Sequence, residues 1–111
     1  MRTVADEGVT IRLVRALRTR GTDLAPFPNA WKGLNNGALL AEIRAAGYSC
    51  ILTCDQGLRY QQNLTRWQIG VIVLPWTRFE DLAPLISQIQ FALSKIDAGS
   101  VRLVNRDGSL G

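Results

Sequence analysis

The sequence predicts an α/β protein with three layers, in which helices cover both faces of a parallel sheet of four to five strands. Two short segments, 50–54 and 70–74, are almost uniformly apolar, which is the pattern of strands that are covered on both faces. Segments with helical periodicity separate successive strands, and a helix in every crossover is typical of a parallel sheet. A length of 111 residues fits one domain, which we assign to 1–104, with 105–111 as a flexible tail.

The chain opens with a short apolar strand over 2–6. Thr10 is a helix-capping residue, and the periodicity that follows it predicts a helix over 11–20 that Gly21 ends. One side of this helix carries arginines at every third position, and we expect solvation rather than RNA contact to explain them. These are Arg12, Arg15 and Arg18.

The middle of the chain predicts three strands and two helices. A weak strand over 22–27 is followed by a loop, and Asn36 or Asn35 caps a helix that runs to about residue 46. The buried strand 50–54 leads into a short helix over 58–66, and the buried strand 70–74 comes next.

The last helix has the most regular apolar spacing in the sequence, over 82–96. Pro84 places its start near Leu82, because proline is tolerated in the first turn of a helix. A further edge strand is expected over 101–104.

Composition narrows the classes of function. No apolar run approaches the ~20 residues of a membrane span, and no signal peptide is evident, so we expect a cytoplasmic protein without membrane contact. The net charge of +4 permits an RNA partner without requiring one. The absence of histidine excludes Ser-His-Asp catalysis, histidine general bases and most zinc sites. Enzymatic chemistry would therefore depend on carboxylates, with a hard cation such as Mg²⁺ or Mn²⁺.

Two acidic residues follow predicted strands at the edge where open parallel sheets bind ligands. Asp6 ends the first strand and Asp55 follows the third. With the common strand order 2-1-3-4 these two strands are neighbours, about 4.8 Å apart. The two carboxylates could share one divalent cation. Asn36, at a helix N-terminus, is a candidate neutral ligand or phosphate donor, and Glu7 is a secondary metal ligand.

Each of these residues also has a structural explanation. Asp55 could simply cap the turn that follows its strand. Trp31 and Trp67 could stack RNA bases, although packing in the core is the better interpretation for both of them and for Trp76. The two cysteines are expected to be core thiols, because a strand would separate Cys50 and Cys54 by roughly 13 Å, too far for a disulfide.

Further candidates for positioning RNA or its phosphates are amide and cationic side chains. Three consecutive amides come shortly after Asp55, where they could line a site. The candidates are Gln61, Gln62, Asn63, Lys32 and Arg59.

Four segments together resemble a small PIN-like family of bacterial and archaeal proteins, over roughly residues 2–104. They are Val-Ala-Asp-Glu at 4–7, Trp-Lys-Gly-Leu-Asn-Asn-Gly-Ala-Leu-Leu at 31–40, Ile-Leu-Thr-Cys-Asp-Gln-Gly-Leu at 51–58, and Tyr-Gln-Gln-Asn-Leu at 60–64 leading to Gly-Val-Ile-Val-Leu at 70–74.

The resemblance implies a PIN-like fold and a Mg²⁺- or Mn²⁺-dependent endoribonuclease, often the toxin half of a toxin–antitoxin pair. Asp6 and Asp55 match the family's acids. The acidic site is depleted, because relatives often have an acid at the position of Asn36, an acid or amide at that of Gly57, and Asn at that of Gly8.

Three hypotheses for function follow. The first is the metal-dependent ribonuclease. The second is a catalytically inactive PIN-like module that binds RNA or a protein partner such as an antitoxin. The third is a flavodoxin-like or receiver-like signalling domain, which is disfavoured because Lys95 lies inside the last helix rather than after a strand. A homodimer through the Pro75–Phe79 turn and the last helix is a further expectation.

Overall fold

The structure is a computed structural model, which describes residues 2–60 and 64–111. It confirms an α/β fold with one parallel sheet between layers of helices. The sheet has five strands in the order β2-β1-β3-β4-β5, all parallel. The strands are β1 (Thr3–Ala5), β2 (Leu24–Ala25), β3 (Cys50–Thr53), β4 (Gly70–Val73) and β5 (Val101–Leu103).

Five α-helices and three 3₁₀ turns join these strands in the described residues. The helices are α1 (Ile11–Thr19), α2 (Asn36–Ala45), α3 (Leu64–Trp67), α4 (Phe79–Leu82) and α5 (Ile86–Lys95). The 3₁₀ turns cover Asn29–Trp31, Gln56–Tyr60 and Ala83–Leu85. None of the described helices has the length and apolar character that crossing a membrane requires.

The two faces of the sheet pack against different helices, because successive side chains of a strand point to opposite faces. Leu52 and Ile72 pack on one face with side chains of α1, α4 and α5. Ile51, Val71 and neighbouring residues pack on the other face with α2 and α3. Each strand of the centre is buried over its whole length, as the continuous apolar runs predict.

Two of the helix boundaries differ from the prediction. The described part of 58–66 is a 3₁₀ turn and a separate short helix, α3, rather than one helix. The last helix begins earlier, at Phe79, and a 3₁₀ turn around Pro84 divides it into α4 and α5. Proline lacks the N–H that an α-helical hydrogen bond needs, which accounts for the break at this point.

The C-terminal turn, residues 104–111, folds back onto β5, although the sequence suggests a tail. Leu103 and Gly111 exchange backbone hydrogen bonds of 3.2 and 2.7 Å, and Val104 pairs with Leu110 in an antiparallel bridge. Gly108 has a φ of 87° and is buried, so the turn packs closely on the protein. Arg106 is thereby held at the carboxyl edge of the sheet.

Candidate functional site

The segments that carry Asp6 and Asp55 meet where the strand order reverses, between β1 and β3. This is the position at which open parallel sheets bind ligands. Thr53, the last residue of β3, is fully buried and joins the two segments. Its hydroxyl donates to Asp6 Oδ2 at 2.7 Å and accepts a hydrogen bond from the Asp55 backbone N–H at 2.9 Å.

The Asp6 carboxylate is half-buried and held by the chain on both oxygens. Oδ1 accepts a hydrogen bond from the Glu7 backbone N–H at 2.9 Å, and Oδ2 accepts the one from Thr53. The backbone N–H of Asp6 donates to the Leu52 carbonyl across the β1–β3 pair at 2.8 Å. Its position is therefore fixed by both strands.

Asp55 is exposed, and its side chain caps the turn that follows β3. Its Oδ1 accepts a hydrogen bond from the Gly57 backbone N–H at 2.8 Å, and its carbonyl accepts one from Leu58. This is the structural role that the sequence analysis considered for it. The capping bond occupies one oxygen of the carboxylate.

Asn36 is not the cap of α2. The cap is the alternative, Asn35, whose side-chain oxygen accepts a hydrogen bond from the Ala38 backbone N–H at 2.8 Å, while Asn36 is the first helical residue. Asn36 lines neither of the two cavities described next.

A small cavity of 220 Å³, here called the acidic cavity, lies at the ends of β1 and β2. Asp6, Glu7 and Lys32 line it, together with apolar side chains that include Phe27 and Ile11. Glu7 thus shares a cavity with Asp6. Lys32, which the sequence predicts as a phosphate-binding cation, lines the same cavity.

A larger cavity of 590 Å³, here called the arginine cleft, lies over the ends of β3, β4 and β5. Its polar and aromatic lining includes Cys54, Gln56, Arg59, Trp76, Asn105 and Arg106. No Asp or Glu among the described residues lines it. The structure therefore separates the two predicted phosphate-binding cations, since Arg59 lies here and Lys32 lies in the acidic cavity.

Cys54 lines the arginine cleft and is close enough to Asp6 for its pKa to be affected by the charge of that residue. Its thiol donates to the Trp76 carbonyl at 3.2 Å. Burial and, secondarily, the negative charge of Asp6 raise the pKa of Cys54 to about 11. Burial raises the pKa of Cys50 to about 12. Both thiols are free, as expected, and neither is in the thiolate form at neutral pH.

The aromatic residues divide between core and cleft. Trp31 is buried and makes edge contacts with Phe27 and Tyr48 at ring-centroid distances of 6.0 and 6.2 Å. Trp67 is half-buried and packs against the core on the α2 side. Trp76 is half-buried, contacts the core and also lines the arginine cleft, where the Arg106 guanidinium lies 4.5 Å from its ring centre.

Sequence reasoning missed two parts of the site. Thr53 received no role, although a threonine that ends a buried strand two residues before an acid has its hydroxyl near that acid's backbone. The sequence predicts a tail that includes Arg106, because no local pattern shows that the turn closes onto β5. The amides Gln61, Gln62 and Asn63 lie outside the described residues.

The fold and the site define an open parallel-sheet α/β protein with acidic residues at its switch point and a cationic cleft beside them. Comparisons with protein-family models, with curated proteins and with solved structures found no match.

Proposed function

We propose that this protein is a PIN-like endoribonuclease that depends on Mg²⁺ or Mn²⁺, and that it acts as the toxin of a toxin–antitoxin pair. The observation that carries the proposal is the hydrogen-bonded link from the Asp6 carboxylate through the Thr53 hydroxyl to the Asp55 backbone. This link places the backbone of Asp55 next to the Asp6 carboxylate at the switch point of the sheet.

Two carboxylates are a donor set of the kind that binds one hydrated cation, although Asp55 does not line the cavity that Asp6 and Glu7 share. Mg²⁺ in proteins is commonly held by one or two carboxylates, with water and substrate phosphate as its other ligands. Asp6 and Asp55 would hold the ion, and Glu7 lines the same cavity as Asp6. Such an ion supplies an activated water and stabilises negative charge on a phosphate.

The protein's own residues would do the remaining work. Thr53 keeps the Asp6 carboxylate in place through a 2.7 Å hydrogen bond. Arg59 and Arg106 in the adjoining arginine cleft are suited to bind phosphate, because the planar guanidinium donates hydrogen bonds in pairs.

The test is cleavage of a fluorescently labelled RNA in the presence of Mn²⁺ or Mg²⁺. Asp6→Asn and Asp55→Asn should each abolish cleavage. Both variants should stay folded: the asparagine oxygen at position 55 can still accept the bond from Gly57, and that at position 6 can accept the bond from Thr53 and gives up only the exposed one from the Glu7 backbone N–H. Glu42→Gln, an exposed change on α2, is the matched control and should cleave normally. Undiminished cleavage by the Asp6→Asn/Asp55→Asn double variant would refute the proposal.

A second candidate function is a catalytically inactive PIN-like module that binds RNA or a protein. Two observations favour it. Among residues 2–60 and 64–111 no group of three or more His, Cys, Asp or Glu side chains is placed to hold a metal ion. In addition, Asp55 Oδ1 already serves as a cap.

Thermal unfolding with added Mn²⁺ distinguishes the two candidates, because a ligand that binds only the folded state raises its stability. The ribonuclease should melt at a higher temperature with Mn²⁺, and Asp55→Asn should remove that increase. An unchanged melting temperature favours the inactive module.

A further inference from the structure

The arginine cleft has the features of an anion-binding site that is distinct from the pair of acids. Arg59 and Arg106 both line it, and neither forms an ion pair with any other described residue. The ion pairs in the described part of the chain instead involve Arg12 and Arg78, which both contact Glu80. No carboxylate of the described residues therefore lies within ion-pair distance of either positive charge in this concave site.

An aromatic ring lies beside each of the two arginines. The Arg106 guanidinium lies 4.5 Å from the centre of the Trp76 ring, and that of Arg59 lies 4.6 Å from the centre of the Tyr60 ring. Arg59 also donates to the Tyr60 hydroxyl at 2.6 Å. A guanidinium that stacks on a ring keeps its N–H groups available at its edge, where they can donate to a phosphate.

The dimensions and the remaining polar groups of the cleft suit a nucleotide. A volume of 590 Å³ falls in the range of small-molecule sites, roughly 300–1,000 Å³. Gln56, Asn105 and Thr77 add amide and hydroxyl groups that can contact base edges and ribose. The side chain of Gln56 is itself held by a 3.4 Å bond to the Leu74 carbonyl.

We infer that the arginine cleft binds single-stranded RNA, with Arg59 and Arg106 contacting backbone phosphates and the C-terminal turn forming one wall. This inference rests on the proposed function, because it assigns the place where that function's RNA is bound. A flexible single strand of RNA can enter a cleft of this size. Because RNA phosphates are negatively charged, their binding accounts for a lining that, in the part of the chain that the structure describes, contains arginines and no acidic side chains.

The experiment measures binding of a fluorescein-labelled single-stranded RNA by anisotropy, without divalent metal. The Asp6→Asn/Asp55→Asn variant serves as the parent, so that binding is measured separately from cleavage. In this parent, Arg59→Ala/Arg106→Ala should weaken binding at least tenfold. It should also reduce the slope of log affinity against log salt by about 1.4, since each phosphate contact on a single strand contributes about 0.7.

The matched control removes the same charge from another face. Arg15 and Arg18 are exposed on α1, and Arg15→Ala/Arg18→Ala should change affinity less than twofold. Trp76→Leu removes the ring under Arg106 and should weaken binding about as much as Arg106→Ala alone. Circular dichroism and thermal unfolding establish that each variant is folded.

Three results would overturn the inference: a parent that does not bind the RNA, cleft variants that bind as the parent does, or an equal loss in the α1 control. An equal loss in the α1 control would mean that RNA binds to the basic face of α1, or that RNA affinity depends only on the net charge of the protein. Preference for duplex RNA in competition would also count against it. Loss of cleavage in the acidic variants tests the proposed function independently of all of these results.

Discussion

Replacing Thr53 by valine should destabilise the protein markedly, although the side-chain shape barely changes. The substitution removes a 2.7 Å hydrogen bond to a carboxylate and a 2.9 Å bond from a backbone N–H. A bond to a charged group contributes about 1.5–3 kcal/mol and a neutral one about 0.5–1.5 kcal/mol. Because Thr53 is fully buried, water cannot replace its hydroxyl, and we expect a loss of about 2–4 kcal/mol.

Thr53→Ser provides the comparison, since it keeps the hydroxyl and removes only one buried methyl, which costs about 1 kcal/mol. Urea unfolding of both variants measures the difference in the free energy of unfolding. The comparison uses the same slope of that free energy against urea concentration for both variants. A valine variant as stable as the serine variant would refute the reasoning, because the two hydrogen bonds would then contribute nothing beyond packing.

Three further predictions concern the fold. Gly70→Ala should cost about 1–3 kcal/mol in a urea titration, because an added Cβ would lie 2.9 Å from a backbone carbonyl, whereas Gly8→Ala, with open space around it, should be near neutral. Asn35→Ala should lower the free energy of unfolding by about 1 kcal/mol, and Asn36→Ala by much less, as measured by thermal unfolding. A larger loss for Asn36→Ala than for Asn35→Ala would mean that Asn36 is the cap. Cys54 should react with iodoacetamide at pH 8 far more slowly in the folded than in the unfolded chain. Stability should fall as the pH rises from about 9 toward 11, because the thiols of Cys50 and Cys54 lose their protons more readily in the unfolded chain, and a pH-independent stability over that range would contradict this.

The layers could be predicted because they depend on patterns that extend over whole elements, and the observed order β2-β1-β3-β4-β5 agrees with the common order expected for such sheets. The uniform burial of β3 and β4 follows from their continuous apolar runs, and helices in the crossovers require parallel pairing. The same order, however, is found in flavodoxin-like sheets, so that the fold does not select among the functions considered. The assignment to a PIN-like family stays a prediction.

The details of the site could not be predicted because they depend on contacts between distant parts of the chain. Asp6 and Thr53 are 47 residues apart, and only the completed sheet brings the carboxylate within reach of the hydroxyl. The sequence offers a turn cap and a metal ligand as alternatives for Asp55, and spacing alone does not show that its side chain turns toward the Gly57 backbone N–H. Arg106 reaches the cleft only because the chain reverses after β5.

That reversal also limits how this protein can associate with other copies. An exposed edge strand offers unpaired N–H and C=O groups that invite strand-to-strand aggregation. Here the backbone of Gly111 forms hydrogen bonds with the N–H and C=O groups of Leu103 in the edge strand β5. At the opposite edge of the sheet, β2 has only two residues. A homodimer, if one forms, should therefore use helices or loops rather than a continuous intermolecular sheet.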